Sequence, residues 1–174
     1  MRQKHTQRLK ILNHQGVAML EIQNLSSYTL DSHKFEEIFF TLTKAYKPNL
    51  ASHLCVEILI TDSAQIQEIN ATHRNQDKPT DVLSFPLNVD FVYAPAECML
   101  NIGSVVLNAQ MADAIATNLG HSLEDELYLL FIHALLHIFG FDHEVDNGEH
   151  RQEECQWITF FKLPKSLIER TQDS

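Results

Sequence analysis

The sequence predicts an α+β fold, a single domain in which helices pack on a mixed β-sheet. Three observations predict it. The 174 residues are 44% apolar and 21% charged, with five Gly and five Pro, the make-up of an ordinary globular domain. Strand-like runs and segments of helical periodicity follow one another in the order β-α-β-α-β-β-α-α-α, which requires a sheet with some parallel pairing and helices laid on it. One helix, capped by Ser122 and running to about Phe139, is apolar almost all round, so it has to be buried on nearly every side. A chain of this length hides about 70% of its extended surface on folding, enough to dispense with disulfides.

Residues 1–10 carry Arg2, Lys4, Arg8 and Lys10 and no acidic residue. Residues 1–16 are read as a flexible basic arm and residues 17–174 as the folded domain. Val17 to Leu25 is the first strand. A helix from Ser32 to Tyr46 follows, with Phe35, Ile38, Phe39, Leu42 and Ala45 at helical spacing and Pro48 beyond its end. The β-branched run LCVEILIT to Thr61 is the next strand, and Asp62 with Gln65 forms a capping box for a helix through Asn70. Thr80 to Pro86 is a short strand stopped by its proline, the segment to Glu97 is a loop, and Asn101 to Asn108 is the last strand. Met111 to Leu119 is a helix ended by Gly120, and Ser122 with Asp125 caps the apolar helix. A closing helix from Glu149 to Phe161, anchored by Trp157, Ile158 and Phe161, stops before Pro164.

Composition narrows the function classes. Cys55, Cys98 and Cys155 are widely spaced with no CxxC pair, which fits a reducing compartment and excludes a cysteine-rich zinc finger. No run of 18 uncharged apolar residues occurs, so no membrane association and a cytoplasmic location are expected. A net charge of −10 argues against a broad electrostatic nucleic-acid binder. A local basic patch around Arg74 and Lys78 can still face a phosphate, because the distribution of charge outweighs its sum.

The chemistry concentrates in HALLHIFGFDH, residues 133–143. His133 and His137 interrupt the apolar helix at i and i+4 and share a face, about 6 Å apart along the axis. Gly140 can end the helix in a left-handed conformation, and His143, three residues on, can fold back to the same face. Three imidazoles are the donor set of a catalytic Zn²⁺ that keeps a fourth position open for water. An imidazole left unsatisfied in such a helix costs about 1–3 kcal/mol. The bland alternative is a core histidine bonded to a carbonyl, and ten histidines make chance pairs common; the spacing and the glycine together favour one zinc ion at His133, His137 and His143. His121 and His150 are read as surface residues near helix starts, and the remaining five histidines carry no assignment. Zinc peptidases share this spacing with a glutamate base after the first histidine, but Ala134 stands there and cannot accept a proton.

Together, INATHRNQDKPTDVLSFP at residues 69–86 and HALLHIFGFDH at 133–143 resemble the YbeY-type endoribonucleases, single-domain bacterial metalloproteins of rRNA maturation, over roughly residues 17–161. The resemblance implies zinc ligands at His133, His137 and His143 and a catalytic arginine at Arg74, near a bound phosphate. It implies a single-strand-specific, zinc-dependent endoribonuclease acting in 16S rRNA 3′-end maturation and ribosome quality control. The expected substrate is rRNA rather than DNA, and the small ribosomal subunit or a ribosomal protein is the expected partner. Thr80, Asp81 and Ser84 fall in the family's second motif and shape the strand-side wall of the cleft. Three positions depart from the pattern: Ala134 replaces a glycine, Phe141 replaces a tyrosine, and Ser104 replaces a carboxylate expected to order the site. Two other readings compete with this one. The first is a zinc hydrolase of another ester or amide; the second is a non-catalytic ribosome assembly protein whose zinc is structural.

Overall fold

The structure is a computed structural model that describes residues 7–12, 18–89, 99–141 and 146–164. Its elements are β1 (Gln7–Leu12), β2 (Ala18–Asn24), α1 (His33–Tyr46), β3 (Leu54–Thr61), α2 (Ser63–Arg74), β4 (Val82–Pro86), β5 (Leu100–Asn108), α3 (Ala109–Leu119), α4 (Leu123–Phe139) and α5 (Glu149–Phe161). The five strands form one sheet in the order β1-β2-β3-β5-β4. β2, β3 and β5 run parallel, and the edge strands β1 and β4 run antiparallel to their neighbours. The predicted α+β class and mixed sheet are what the chain forms.

The two sheet faces are covered unequally. Leu20, Val56, Ile58, Val105 and Leu107 point into the main core with Phe35, Ile38, Phe39 and Leu42 of α1 and the buried length of α4. On the other face α2 covers a small cluster of Ile66, Leu83 and Val106, flanked by Leu59, Ile69 and Phe85. Alternation along the strands assigns each residue to its face. α4 is buried from Glu126 to Leu136 apart from His133, as its lack of a polar face demands. Ser122 accepts from the Asp125 N–H at 3.0 Å and closes its N-terminus. Gly140, at φ 100°, ends it and lets the Phe141 N–H reach the Leu136 carbonyl at 3.0 Å.

Two elements differ from the sequence reading. β1 lies within the stretch read as a basic arm: Leu9 and Ile11 pack on the core, while Arg8 and Lys10 point the other way, 3.9 and 3.3 Å from the Glu21 carboxylate on β2. That alternation is a strand pattern, masked by the attention its charges attract. Residues 1–6 and 13–17 lie outside the described residues, as do residues 90–98 of the expected loop. The second difference is α2, which continues past Asn70 to Arg74. Asn70 does not stop the helix; its amide donates to the Lys78 carbonyl at 2.8 Å. Asn75 ends it instead, in a left-handed conformation at φ 55° that asparagine tolerates. The additional turn is what carries Arg74.

Candidate metal centre

α4 and α5 build a cluster of imidazoles. The ring centres of His133 and His137 are 4.9 Å apart, as one helical turn dictates, and His150 of α5 stands 4.7 Å from each. One ligand nitrogen from each of the three can be chosen so that all lie within 4.8 Å of one another. The expected third ligand, His143, lies outside the described residues, as does Asp142. His150 is fully buried, which overturns its reading as a surface residue. The His121 side chain is 9% exposed and is held 2.7 Å from the buried Glu126 carboxylate; it too is no surface residue.

The signal for His150 was present in the chain. The buried residues of α5 are His150, Glu154, Trp157, Ile158 and Phe161, a single helical stripe. Extending the apolar anchors backwards by one and two turns reaches Glu154 and His150. Polarity at those two positions disguised their burial.

Glu154 explains one orientation. It is fully buried, and its Oε1 lies 3.1 Å from His133 Nδ1. With Nδ1–H donating to that carboxylate, His133 presents Nε2 as its ligand atom. Glu154 Oε2 has no hydrogen-bond partner among the described residues. A buried carboxylate is costly by itself, and a cation held among the imidazoles would offset that cost. At the start of α5 the Asp146 carboxylate accepts from the His150 N–H at 2.8 Å and the Gly148 N–H at 2.7 Å. Its desolvation opposes ionisation, but these backbone bonds hold its pKa below the ordinary value. The donor set of nitrogen atoms with a carboxylate behind one of them fits a zinc-like divalent ion.

A cleft of about 530 Å³ opens over this centre, lined by His133, His137, Gly140 and Phe141 on one side and by Thr80, Asp81, Val82, Ser84 and Pro86 on the other, with Arg74 among the lining residues. The strand-side wall expected of Thr80, Asp81 and Ser84 is thus present. Asp81 Oδ1 accepts from the Val82 N–H at 2.9 Å and the Thr80 hydroxyl at 3.1 Å, which fixes the turn into β4. Arg74 starts from α2, on the sheet face opposite α4, and comes round the edge of β4. Its Nη2 donates to the Ser84 carbonyl at 3.0 Å, and its guanidinium lies 5.9 Å from the Phe85 ring centre.

Ser104 stands apart from the cleft lining. Its neighbour Val105 belongs to the α4 side of the sheet, while its own hydroxyl faces Glu57 Oε2 at 3.4 Å. The Ser104 side chain is thus directed toward Glu57 and is not among the residues that line the cleft. Ala134 is fully buried and tolerated between the two histidines. Phe141 packs against Tyr46 with ring centres 5.3 Å apart.

The sequence model of the family described as Endoribonuclease YbeY matches residues 21–160. A protein named Endoribonuclease YbeY from Campylobacter jejuni subsp. jejuni serotype O:23/36 (strain 81-176) is 56% identical over 117 residues, 67% of this chain and 82% of the relative. Its namesake from Aliarcobacter butzleri (strain RM4018) is 41% identical over 152 residues, covering 87% of this chain and 99% of the relative. The Helicobacter pylori (strain J99 / ATCC 700824) protein of that name is 45% identical over 155 residues, 89% and 99% of the two chains. The solution structure of TM1509 from Thermotoga maritima superposes with a TM-score of 0.52 at 25% identity, covering 80% of this chain and 87% of that one. The chain belongs to the Endoribonuclease YbeY family.

Proposed function

We propose that this chain, as a member of that family, is a zinc-dependent endoribonuclease that hydrolyses phosphodiester bonds of single-stranded RNA in the cytoplasm. Its cellular role is maturation of the 16S rRNA 3′ end and ribosome quality control, with the small ribosomal subunit or a ribosomal protein positioning the substrate. The observation that carries the reading is the presence of two clustered imidazoles, His133 and His137, and the Arg74 guanidinium on the lining of one cleft.

His133, His137 and His143 hold the ion, and residues 17–174, with β1 (Gln7–Leu12) added at the sheet edge, form the domain that presents it. Bound there, Zn²⁺ supplies Lewis acidity toward water or a phosphoryl oxygen. Glu154 keeps His133 in the tautomer that ligation needs. Arg74 binds the scissile phosphate and stays charged as negative charge grows on it. Anchored to the Ser84 carbonyl through one N–H, the guanidinium keeps its remaining donors for phosphoryl oxygens. Thr80 and Ser84 give the strand-side wall its polar character, and a cleft of about 530 Å³ favours a short single strand over a duplex. The wide spacing of Cys55, Cys98 and Cys155 accords with a reducing compartment.

The second reading, a structural zinc in an assembly protein, draws on the additional buried histidine at position 150; the first draws on the cleft beside the cluster. A metal-defined cleavage assay separates them. Wild type should cut short single-stranded RNA in preference to duplex RNA and leave unfolded peptide intact, and His137→Ala should abolish cutting. Peptide cleavage without RNA cleavage, or RNA cleavage unaffected by His137→Ala, would overturn the assignment.

A further inference from the structure

We propose that His73 and Phe85 form a nucleobase subsite on the rim of the cleft, where a base flanking the phosphate held by Arg74 stacks. The inference rests on the endoribonuclease reading above, with Arg74 as its phosphate-binding residue. The two ring centres are 5.3 Å apart with planes at 65°, and the Arg74 guanidinium lies 5.9 Å from the Phe85 ring centre.

β4 sorts its side chains by alternation. Val82, Ser84 and Pro86 line the cleft, while Leu83 and Phe85 turn to the α2 side of the sheet. There the last turn of α2 sets His73 directly before Arg74. Arg74 belongs to both sides, because it lines the cleft and its Nη2 donates to the Ser84 carbonyl at 3.0 Å. A strand of RNA that leaves the cleft over β4 meets the guanidinium first and the two rings next.

Packing does not use up these rings. Phe85 lies against the cluster of Ile66, Leu83 and Val106 yet is only half-buried, and His73 is exposed. Unpaired bases are held by stacking on aromatic side chains, histidine included, and on arginine planes. Both kinds of surface stand side by side here. A base in a duplex is already stacked between its neighbours, so a subsite of this kind takes one that is free to swing out. Stacking reads a π-face and not a hydrogen-bonding edge, so the subsite calls for a base without choosing which.

Cleavage by the zinc-loaded full chain of single-stranded RNAs of about eight nucleotides, each lacking a different base, tests this. Removal of one base flanking the scissile phosphate should raise KM about tenfold and leave kcat nearly unchanged, as loss of stacking requires. His73→Ala should raise KM for the intact RNA by a similar factor and should no longer distinguish it from the abasic one. His73→Phe, which keeps a ring, should restore the wild-type values. His73 is exposed, so neither substitution opens the core, and the wild-type comparison stands without any variant. If wild type cuts intact and abasic RNAs equally well, loses kcat in place of KM, or passes its full abasic penalty on to His73→Ala, the subsite is overturned while the endoribonuclease reading survives. If wild type cuts none of these RNAs, both fall.

Discussion

Arg74 and Glu154 bear on the proposed centre by different routes, and their substitutions should separate cleanly. Arg74 is at the tip of α2 and anchors on a backbone carbonyl, so Arg74→Ala should lower the RNA cleavage rate by about 10²-fold or more with zinc affinity unchanged. Arg74→Lys should recover little of that rate, because a point charge lacks the planar fork. Glu154→Gln should behave the other way. It leaves the cleft wall intact but weakens the hold on the His133 tautomer, and zinc affinity measured by chelator competition should fall about 10–100-fold. Arg74, His133 and His137 were legible in the sequence because their spacing and motif are local. The burial of Glu154 and His150 could have been read from the stripe they share with Trp157, Ile158 and Phe161, but not the groups they meet, which lie across a helix–helix contact that no local pattern encodes.

At the scale of elements, the centre depends on how α4 sits between β4, β5, α1 and α5. Gly103 in β5 is the point of closest approach: a Cβ there would meet the Phe85 carbonyl at 2.7 Å and the Ile138 side chain at 3.1 Å. Gly103→Ala should therefore destabilise the fold by about 1–3 kcal/mol in urea unfolding, through α4 and β4 together. On the far side, the Tyr46 hydroxyl of α1 donates to Glu153 and accepts from the Trp157 indole, stitching α1 to α5. Burial first, and the Glu153 carboxylate next, push the Tyr46 phenol above its usual range. Tyr128 of α4 is pushed from 10.0 up to about 12 by burial and by Glu124, Asp31 and Asp125. Both groups prefer the neutral form when folded. The stability this contributes is whole below pH 10 and is lost as pH climbs from 10 toward 12, where the unfolded chain ionises first. Unfolding midpoints should fall across that interval, and Tyr46→Phe combined with Tyr128→Phe should flatten the decline. Periodicity placed α1, α4 and α5 closely; the tyrosine contacts between them depend on packing and had no local sign.

For the whole molecule, a metal bound at the candidate centre would be linked to the fold, because His133 and His137 of α4 and His150 of α5 come from separate helices. At free zinc about 1,000-fold above Kd the coupling is about 4 kcal/mol, and stripping the ion should lower Tm by about 10 °C. An unchanged Tm after complete removal would mean that the centre is preformed without its cation. The class of fold was legible because burial imposes periods of 2 and 3.6 on the chain, and sheet order was not, because pairing between distant strands leaves no such trace. That order has a further result. β4 faces β5 through its odd positions, with the Asn108 N–H on the Asp81 carbonyl and the Leu87 N–H on the Ile102 carbonyl, so the backbone groups of Ser84 look away from β5, along an edge to which no strand pairs among the described residues. A strand edge is where a foreign polypeptide adds and fibrils start, and the Arg74 guanidinium sits on the Ser84 oxygen there. The side chain proposed to receive phosphate thus also covers that oxygen, and Arg74→Ala should scatter more light than wild type when both are concentrated without RNA.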